Sequence, residues 1–325
     1  MASPAPDPLP PFEASRFHTR PLGGREHLVE VGRFAKAVPA GASAAAFLDS
    51  LPDFLGARAL RGLVDAIVQA HRAGRPVVVG LGGHVVKTGL GPLLVDLAER
   101  RIVTGFVLNG AAAIHDAEVA WVGSTSEDVG GGIFEGRYGN AHETGQLFAD
   151  AAREAATGGL GLGTALGRLL VARGPAHPGL SLLCAATRLS LPVTVHVAIG
   201  TDTVHMHPAC DGAALGAATH RDFLRLCALV ERMDGGVYLN VGSAVVLPEV
   251  FMKAVAMVHN ADPSRRVGIT TGNLDMLRHY RPRVNVVERP AVQGFDVAGH
   301  HEINLPLLRL AVLEALARPS AGGRA

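Results

Sequence analysis

The sequence predicts an α/β protein, a single Rossmann-like, doubly wound, mostly parallel sheet with helices on both faces. Two observations carry that expectation. The first is residues 76–116, where an apolar run, Val77 to Val79, enters a glycine-rich turn, Gly80 to Gly83, followed by a helical pattern from Val85 to Arg100 and a second apolar run, Val103 to Leu108. That order reads as a strand, helix, strand crossover, which sets parallel strands side by side. The second is recurrence. Short runs rich in β-branched residues return at Val193 to Ile199, Val237 to Val241, Val267 to Thr271 and Val284 to Val287, with helical stretches Arg221 to Met233 and Pro248 to His259 among them.

The remaining elements follow in chain order. Met1 to Pro11 is too proline-rich to pack and reads as a disordered lead-in; the tail 319–325 reads the same way, which leaves residues 12–318 as one domain. Ala44 to Ala73 has helical spacing, with Leu60, Leu63, Val64, Ile67 and Val68 on one face and Gly74 as its stop. Residues 122–145, glycine-dense and without periodicity, predict a long loop or flap. Residues 146–170 return to a helical pattern interrupted by Gly158, Gly159, Gly161 and Gly163, and Leu305 to Ala317 predicts a closing amphipathic helix.

Composition narrows the partners. Over 325 residues, Lys+Arg number 30 against Asp+Glu 29, so no charge excess points to nucleic acid or an anionic membrane, and small molecules are the expected partners. Cys184, Cys210 and Cys227 lack CxxC spacing, which fits reduced thiols in a cytoplasmic protein. No apolar run reaches the roughly 18 residues that span a bilayer.

Chemistry collects after the strands, where a doubly wound sheet opens its ligand crevice. The first loop offers backbone amides with His84, Lys87 and Thr88; the second sets Gly110 to Ala113 before His115 and Asp116. Later loops carry Asp202, His205, His207 and Asp211, then Gly242 and Ser243, then residues 270–275, then Gly299 to Glu302. His205 and His207 alternate on one face and with Asp211, His300 or His301 would suit a metal-dependent hydrolase, an alternative beside a non-catalytic nucleotide-binding protein. No metal site is assigned.

The order of these motifs resembles the deoxyhypusine synthase family and its bacterial relatives. The stretches that carry the resemblance are Lys87-Thr88-Gly89, residues 110–116, Pro208-Ala209-Cys210-Asp211-Gly212, residues 241–246, Thr270-Thr271-Gly272, and His300-His301 ahead of Leu305-Pro306-Leu307-Leu308, within roughly Leu55 to Ala317. The resemblance implies NAD as cofactor, an amine or polyamine substrate, and a homodimer or homotetramer. By position it places Thr88, Gly110, Ala111, Asp211, Gly242, Ser243, Thr271, Gly272, His300 and His301 against NAD, and Gly83, His84 and Gly89 of the first loop are expected to bind the cofactor beside them. His115 and Asp116 fall where the family has two glutamates.

The departures bear on the reaction. Leu247 stands where the family has a lysine, and Arg281 or Arg283 lies near the place of its imine-forming lysine; a guanidinium stays protonated and cannot attack an imine. Only Lys36, Lys87 and Lys253 are lysines, and only Lys87 lies in a site loop, so transfer of an aminobutyl group to protein is not expected. The expected catalytic residues are His115 as acid or base, Asp116 as the group that holds an ammonium or the cofactor ribose, and Lys87. Asp116 has an alternative role as a helix cap.

Overall fold

The computed structural model describes Leu9 and residues 11–318; apart from Leu9 and Pro11, the expected lead-in and tail lie outside the described residues. Residues 11–43 form an exposed arm with three short 3-10 turns, along which Phe17, Leu28 and Val31 face solvent. The arm is tied down near its end by Arg33, whose guanidinium donates to the Asp53 carbonyl at 2.8 Å and covers the Phe54 ring. The single helix expected over 44–73 is two, α1 (Ala44–Ser50) and α2 (Leu55–Arg72). Pro52 lies in the break, where its missing N–H cannot continue a helix.

From there the chain alternates. In order come β1 (Val77–Leu81), α3 (Gly83–Lys87), α4 (Gly91–Glu99), β2 (Gly105–Asn109) and α5 (Gly110–Val122). Next are α6 (Val129–Phe134), α7 (His142–Gly158), α8 (Leu162–Ala172), α9 (Leu182–Leu189) and β3 (Val193–His196). The second half runs α10 (Gly212–Val230), β4 (Val237–Val241), α11 (Val246–Ala261), β5 (Ile269–Asp275), α12 (Tyr280–Pro282), β6 (Ala291–Ala298) and α13 (His301–Ala317). The helical pattern of 85–100 is thus split by the turn at Thr88 to Leu90, and the flap over 122–145 contains the short α6 and the start of α7.

The six strands form one sheet in the order β3-β2-β1-β4-β5-β6, every neighbouring pair parallel. The α/β, doubly wound fold expected from the sequence is therefore present, and the sheet is wholly parallel. Because both faces are covered, the strands carry apolar residues on both, the pattern expected of parallel sheets. Val77, Val79, Leu81, Phe106, Leu108 and Leu239 pack with α2, α4, α9 and α13, whereas Val78, Val107 and Tyr238 pack with α10 and α11, Tyr238 stacking on Phe251 at 3.8 Å. Each such buried side chain contributes about 1.5–3 kcal/mol.

Two sequence expectations change here. Val284 to Val287 is not a strand; it belongs to a π-helical turn, Arg283–Glu288, bracketed by Pro282 and Pro290. The sixth strand is β6, which pairs with β5 alone and whose largely exposed or half-buried residues suit a sheet edge.

Two buried carboxylates anchor the helices over the β3 side. Asp222 of α10 takes the amides of Gly163 (2.7 Å) and Val195 (2.8 Å) on one oxygen, which ties the start of α8 to β3, and its other oxygen is buried without a partner. Asp116 of α5 accepts from Leu182 N (2.7 Å), Leu183 N (3.0 Å) and Ser181 Oγ (2.6 Å), which caps the start of α9. Burial pushes the Asp222 carboxyl up to about 7 and that of Asp116 up to about 6, from an ordinary 3.8.

A carboxyl raised in this way holds a proton in the folded state that the unfolded chain releases. Its contribution to stability is full below 3.8 and is lost as pH rises through 6 and 7. Chemical denaturation of the wild type and Asp222→Asn at about pH 5.5 and pH 8 checks this. The wild type is expected to lose stability toward pH 8 and the variant to lose less, so equal losses would contradict the assignment. Asp222→Ala strands two buried amides and is expected to cost about 2–4 kcal/mol.

Candidate active site

The parallel sheet delivers every strand's carboxyl end to one edge, and there the loops touch in a continuous series. Gly82 after β1 meets Gly242 after β4 so closely that a Cβ on Gly82 would lie 1.9 Å from the Gly242 carbonyl oxygen. Gly242, at φ 67, lies under His301, to whose Nε2 a Cβ would come within 2.9 Å. The His301 and His84 rings stand 5.9 Å apart. Gly83 lies against Ala111 and His115 of α5, and Gly110 lies against the Asp202 carboxylate. Loops from β1, β2, β3, β4 and β6 therefore form one surface.

Beside this series opens a cleft of about 420 Å³ between α5, the flap and the loop after β3. Lys87, His115, Glu118, Glu127 and Asp202 bring their charges or titratable groups into it, with Thr125, Tyr138 and Asn140. Ala111, His115 and Glu118 follow each other at helical spacing of four and three, which puts them on one face of α5. Gly123, left-handed at φ 73, ends the helix and turns the chain back so that Thr125 reaches that face. His115 Nδ1 lies 2.7 Å from Thr125 Oγ1, and the Thr125 hydroxyl donates to Glu118 Oε2 at 2.5 Å. Thr144, at the start of α7, donates to the other Glu118 oxygen at 3.2 Å.

Two carboxyls here are displaced in opposite directions. Burial acts to raise Glu118, but the adjoining His115 and the hydroxyls of Thr125 and Thr144 outweigh it and hold the group below its ordinary value. Burial raises Asp202, with the nearby His205 and His115 acting the other way. Burial lowers His301, whose Nδ1 is buried without a hydrogen-bond partner.

The expected site residues divide. Lys87, His115 and Ala111 share the cleft; Gly83, His84, Gly110, Gly242 and His301 share the adjoining loop surface, with exposed His300 at the cap of α13. Gly89 lies in the turn after α3 at φ 79, with open space around it. Thr88 donates to the His84 and Val85 carbonyls, and Ser243 Oγ accepts from Leu247 N, so both side chains close helix ends.

The structure gives four of the expected groups other partners. Asp116 cannot face the cleft with His115, because successive helical residues point about 100° apart; it is fully buried and serves α9. Asp211 caps α10 through the amides of Ala213 and Ala214. Thr271 and Gly272 lie inside β5, not beyond it, since that strand runs to Asp275; Thr271 donates to the Val286 carbonyl and Gly272 packs on Leu63 and Leu239. His205 and His207 engage loop amides through their Nδ1 atoms, and among the described residues no three His, Cys, Asp or Glu side chains are grouped as metal ligands.

Glu118, Thr125 and Glu127 were not singled out from sequence. The signal for Glu118 was its spacing from His115, legible only once residues 110–122 are read as helix. No helix among the described residues is long and apolar enough to cross a membrane.

No family model and no curated protein sequence matches the chain. Solved structures do. A candidate deoxyhypusine synthase from Entamoeba histolytica is similar in fold with a TM-score of 0.52 at 11% identity, over 87% of this chain and 98% of that one. A mutant of AgrE in binary complex with L-arginine gives a TM-score of 0.50 at 17% identity, over 80% of this chain and 34% of AgrE, so this chain spans about a third of that protein. A candidate LOR/SDH protein of Methanococcus maripaludis S2 gives 0.48 at 16% identity, over 86% of this chain and 72% of that one. At these identities the likeness is one of fold, the deoxyhypusine synthase-like fold.

The tight loop contacts can be tested directly. Gly82→Ala sets a methyl against a backbone carbonyl that no side-chain rotation relieves, and is expected to cost about 2–4 kcal/mol in urea denaturation. Gly56→Ala, at a helical position with open space, is expected to be neutral or stabilising. Equal effects would remove the Gly82 contact from the description.

Proposed function

We propose that the chain is an NAD-dependent enzyme acting on a small amine, with its chemistry in the cleft of Lys87, His115, Glu127 and Asp202. The observation that carries this reading is the cleft's charge: three carboxylates, Glu118, Glu127 and Asp202, face one lysine around an imidazole at the sheet's carboxyl edge. Carboxylates bind an ammonium by charge-assisted hydrogen bonds, and a neighbouring imidazole can take a proton from it near neutral pH.

For the cofactor, strand order locates the switch point between β1 and β4, where doubly wound sheets bind dinucleotides. The residues there fit one. Residues 82, 83, 110, 111 and 242 carry no side chain larger than a methyl; the Gly82 and Gly242 amides donate to the Val241 and Leu274 carbonyls, and His301, whose Nδ1 is buried without a partner, turns its Nε2 toward Gly242. The α5 amino terminus is a poorer phosphate site, because the Asp202 carboxylate already lies against Gly110. The fold likeness to the candidate deoxyhypusine synthase and the order of motifs support the same reading.

Bound NAD supplies a hydride acceptor for the carbon that bears the amine. The chain's own residues do the rest. Glu127, whose other oxygen takes the Gly139 amide, and Asp202 hold the ammonium. His115 accepts the one proton that the ammonium nitrogen loses as its carbon gives up a hydride, so the ammonium becomes a protonated imine and the charges balance. Residues 123–141 of the flap line the cleft with Tyr138 and Asn140 and limit water. Leu247 is buried in α11, Arg281 pairs with Glu249 and Arg283 with Glu288, so Lys87 is the one lysine in the cleft and aminobutyl transfer to protein is left out of the proposal. A homo-oligomer and a cytoplasmic setting remain part of it.

Calorimetric titration with NAD, followed by reduction of NAD at the expense of a panel of polyamines and basic amino acids, tests this. Saturable NAD binding is expected, and Glu127→Gln should raise KM for the amine about tenfold, the loss of one charge-assisted contact. Absence of NAD binding at millimolar concentration would sink the proposal.

A further inference from the structure

We infer that Thr125 and Glu118 are positioning residues that hold the His115 imidazole in its Nδ1–H tautomer, so that Nε2 is the proton acceptor presented to the cleft. The inference rests on reading that cleft as the amine site, and it gives Thr125 and Glu118 a role that motif order did not mark.

The argument is one of donors and acceptors. Thr125 has one hydroxyl proton and stands between His115 Nδ1 (2.7 Å) and Glu118 Oε2 (2.5 Å). An ionised carboxylate only accepts, so the hydroxyl must donate to Glu118, and its lone pair is what remains for the ring. Nδ1 must then carry the hydrogen, which leaves Nε2 with a lone pair in the neutral imidazole. Glu118 is kept in the accepting state from both sides, since Thr144 donates to its second oxygen.

The ring has a defined direction as well. Its Cδ2 lies against Gly83, where a Cβ would approach to 3.1 Å, and Nε2 has no protein partner among the described residues. Three elements are needed for this arrangement: α5 for His115 and Glu118, the turn at Gly123 for Thr125, and the start of α7 for Thr144. Such a third group behind a base is how imidazoles are oriented for proton transfer elsewhere, by role and not by position in the chain.

The test is nitrogen NMR of the full chain labelled at histidine, without cofactor or amine, at a pH where imidazoles are neutral. Wild type is expected to show His115 with Nδ1 protonated and Nε2 bare. Thr125→Val removes the hydroxyl with little change of shape and leaves Nδ1 facing only Glu118 Oε2 at 3.7 Å, beyond hydrogen-bond reach, so the ring should shift toward Nε2–H, while Thr125→Ser should keep the wild-type tautomer. A wild-type ring protonated at Nε2, or a valine variant unchanged from wild type, would overturn the inference. Glu118→Ala frees the Thr125 hydroxyl to donate to Nδ1 and should also move the ring to Nε2–H, which keeps the test decisive if Thr125→Val does not fold. Because the readout needs no ligand, its failure is separate from a failure of NAD to bind. With an amine that the wild type oxidises, Thr125→Val is expected to lower kcat roughly ten- to hundredfold with KM within about twofold.

Discussion

Where β1 and β4 leave the sheet, the chain comes into backbone contact with itself, Gly82 on the Gly242 carbonyl, with no room for a side chain between them. The rest of the carboxyl edge is built outward from that junction. His301 covers Gly242 on one side, and Ala111 and His115 cover Gly83 on the other, with Asp202 closing over Gly110 beyond them. Glycine is required most at 82 and 110, where a Cβ would meet the Gly242 carbonyl or the Asp202 carboxylate; at 83 it would meet the Ala111 methyl and the His115 ring. The acidic cleft consequently lies beside the junction, over α5.

Helix α5 connects the stability of the fold to the chemistry of the cleft. One of its faces carries Ala111, His115 and Glu118 to the cleft, and a residue 100° around the helix, Asp116, is committed inside the protein to the start of α9. The same logic recurs at Asp222, which binds the start of α8 to β3. These anchors fix the helical layer from which Thr144 reaches Glu118, so a packing interaction far from solvent holds the acceptor behind Thr125 in place.

Much of the architecture was legible because parallel strands buried on both faces read as short, mostly apolar runs with valines, as β1 (VVVGL) and β4 (VYLNV) do. β6 was not. Its sequence, AVQGFDVA, carries polar residues and a glycine at a half-exposed edge, while the more apolar Val284 to Val287 lies between prolines in a π-helical turn. At the site, small residues after strands correctly marked where loops meet, but sequence cannot tell a loop from a first helical turn. Reading residues 110–116 as loop put His115 and Asp116 together; as helix they part, and Glu118 takes the place beside His115. Thr125 depends on a left-handed turn at Gly123, a long-range consequence no spacing rule contains.

The central claim is that ligand chemistry belongs to the carboxyl edge and the cleft on α5. A hollow of about 480 Å³, lined by Gln69, Arg75, Thr270 and Gln293, opens at the opposite edge and offers a physical alternative. Hydrogen exchange of the protein alone and with NAD plus an amine separates the two. Protection is expected in residues 82–89, 110–118, 123–141 and 242–245, whereas protection confined to residues 62–75 and 291–295 would contradict the claim.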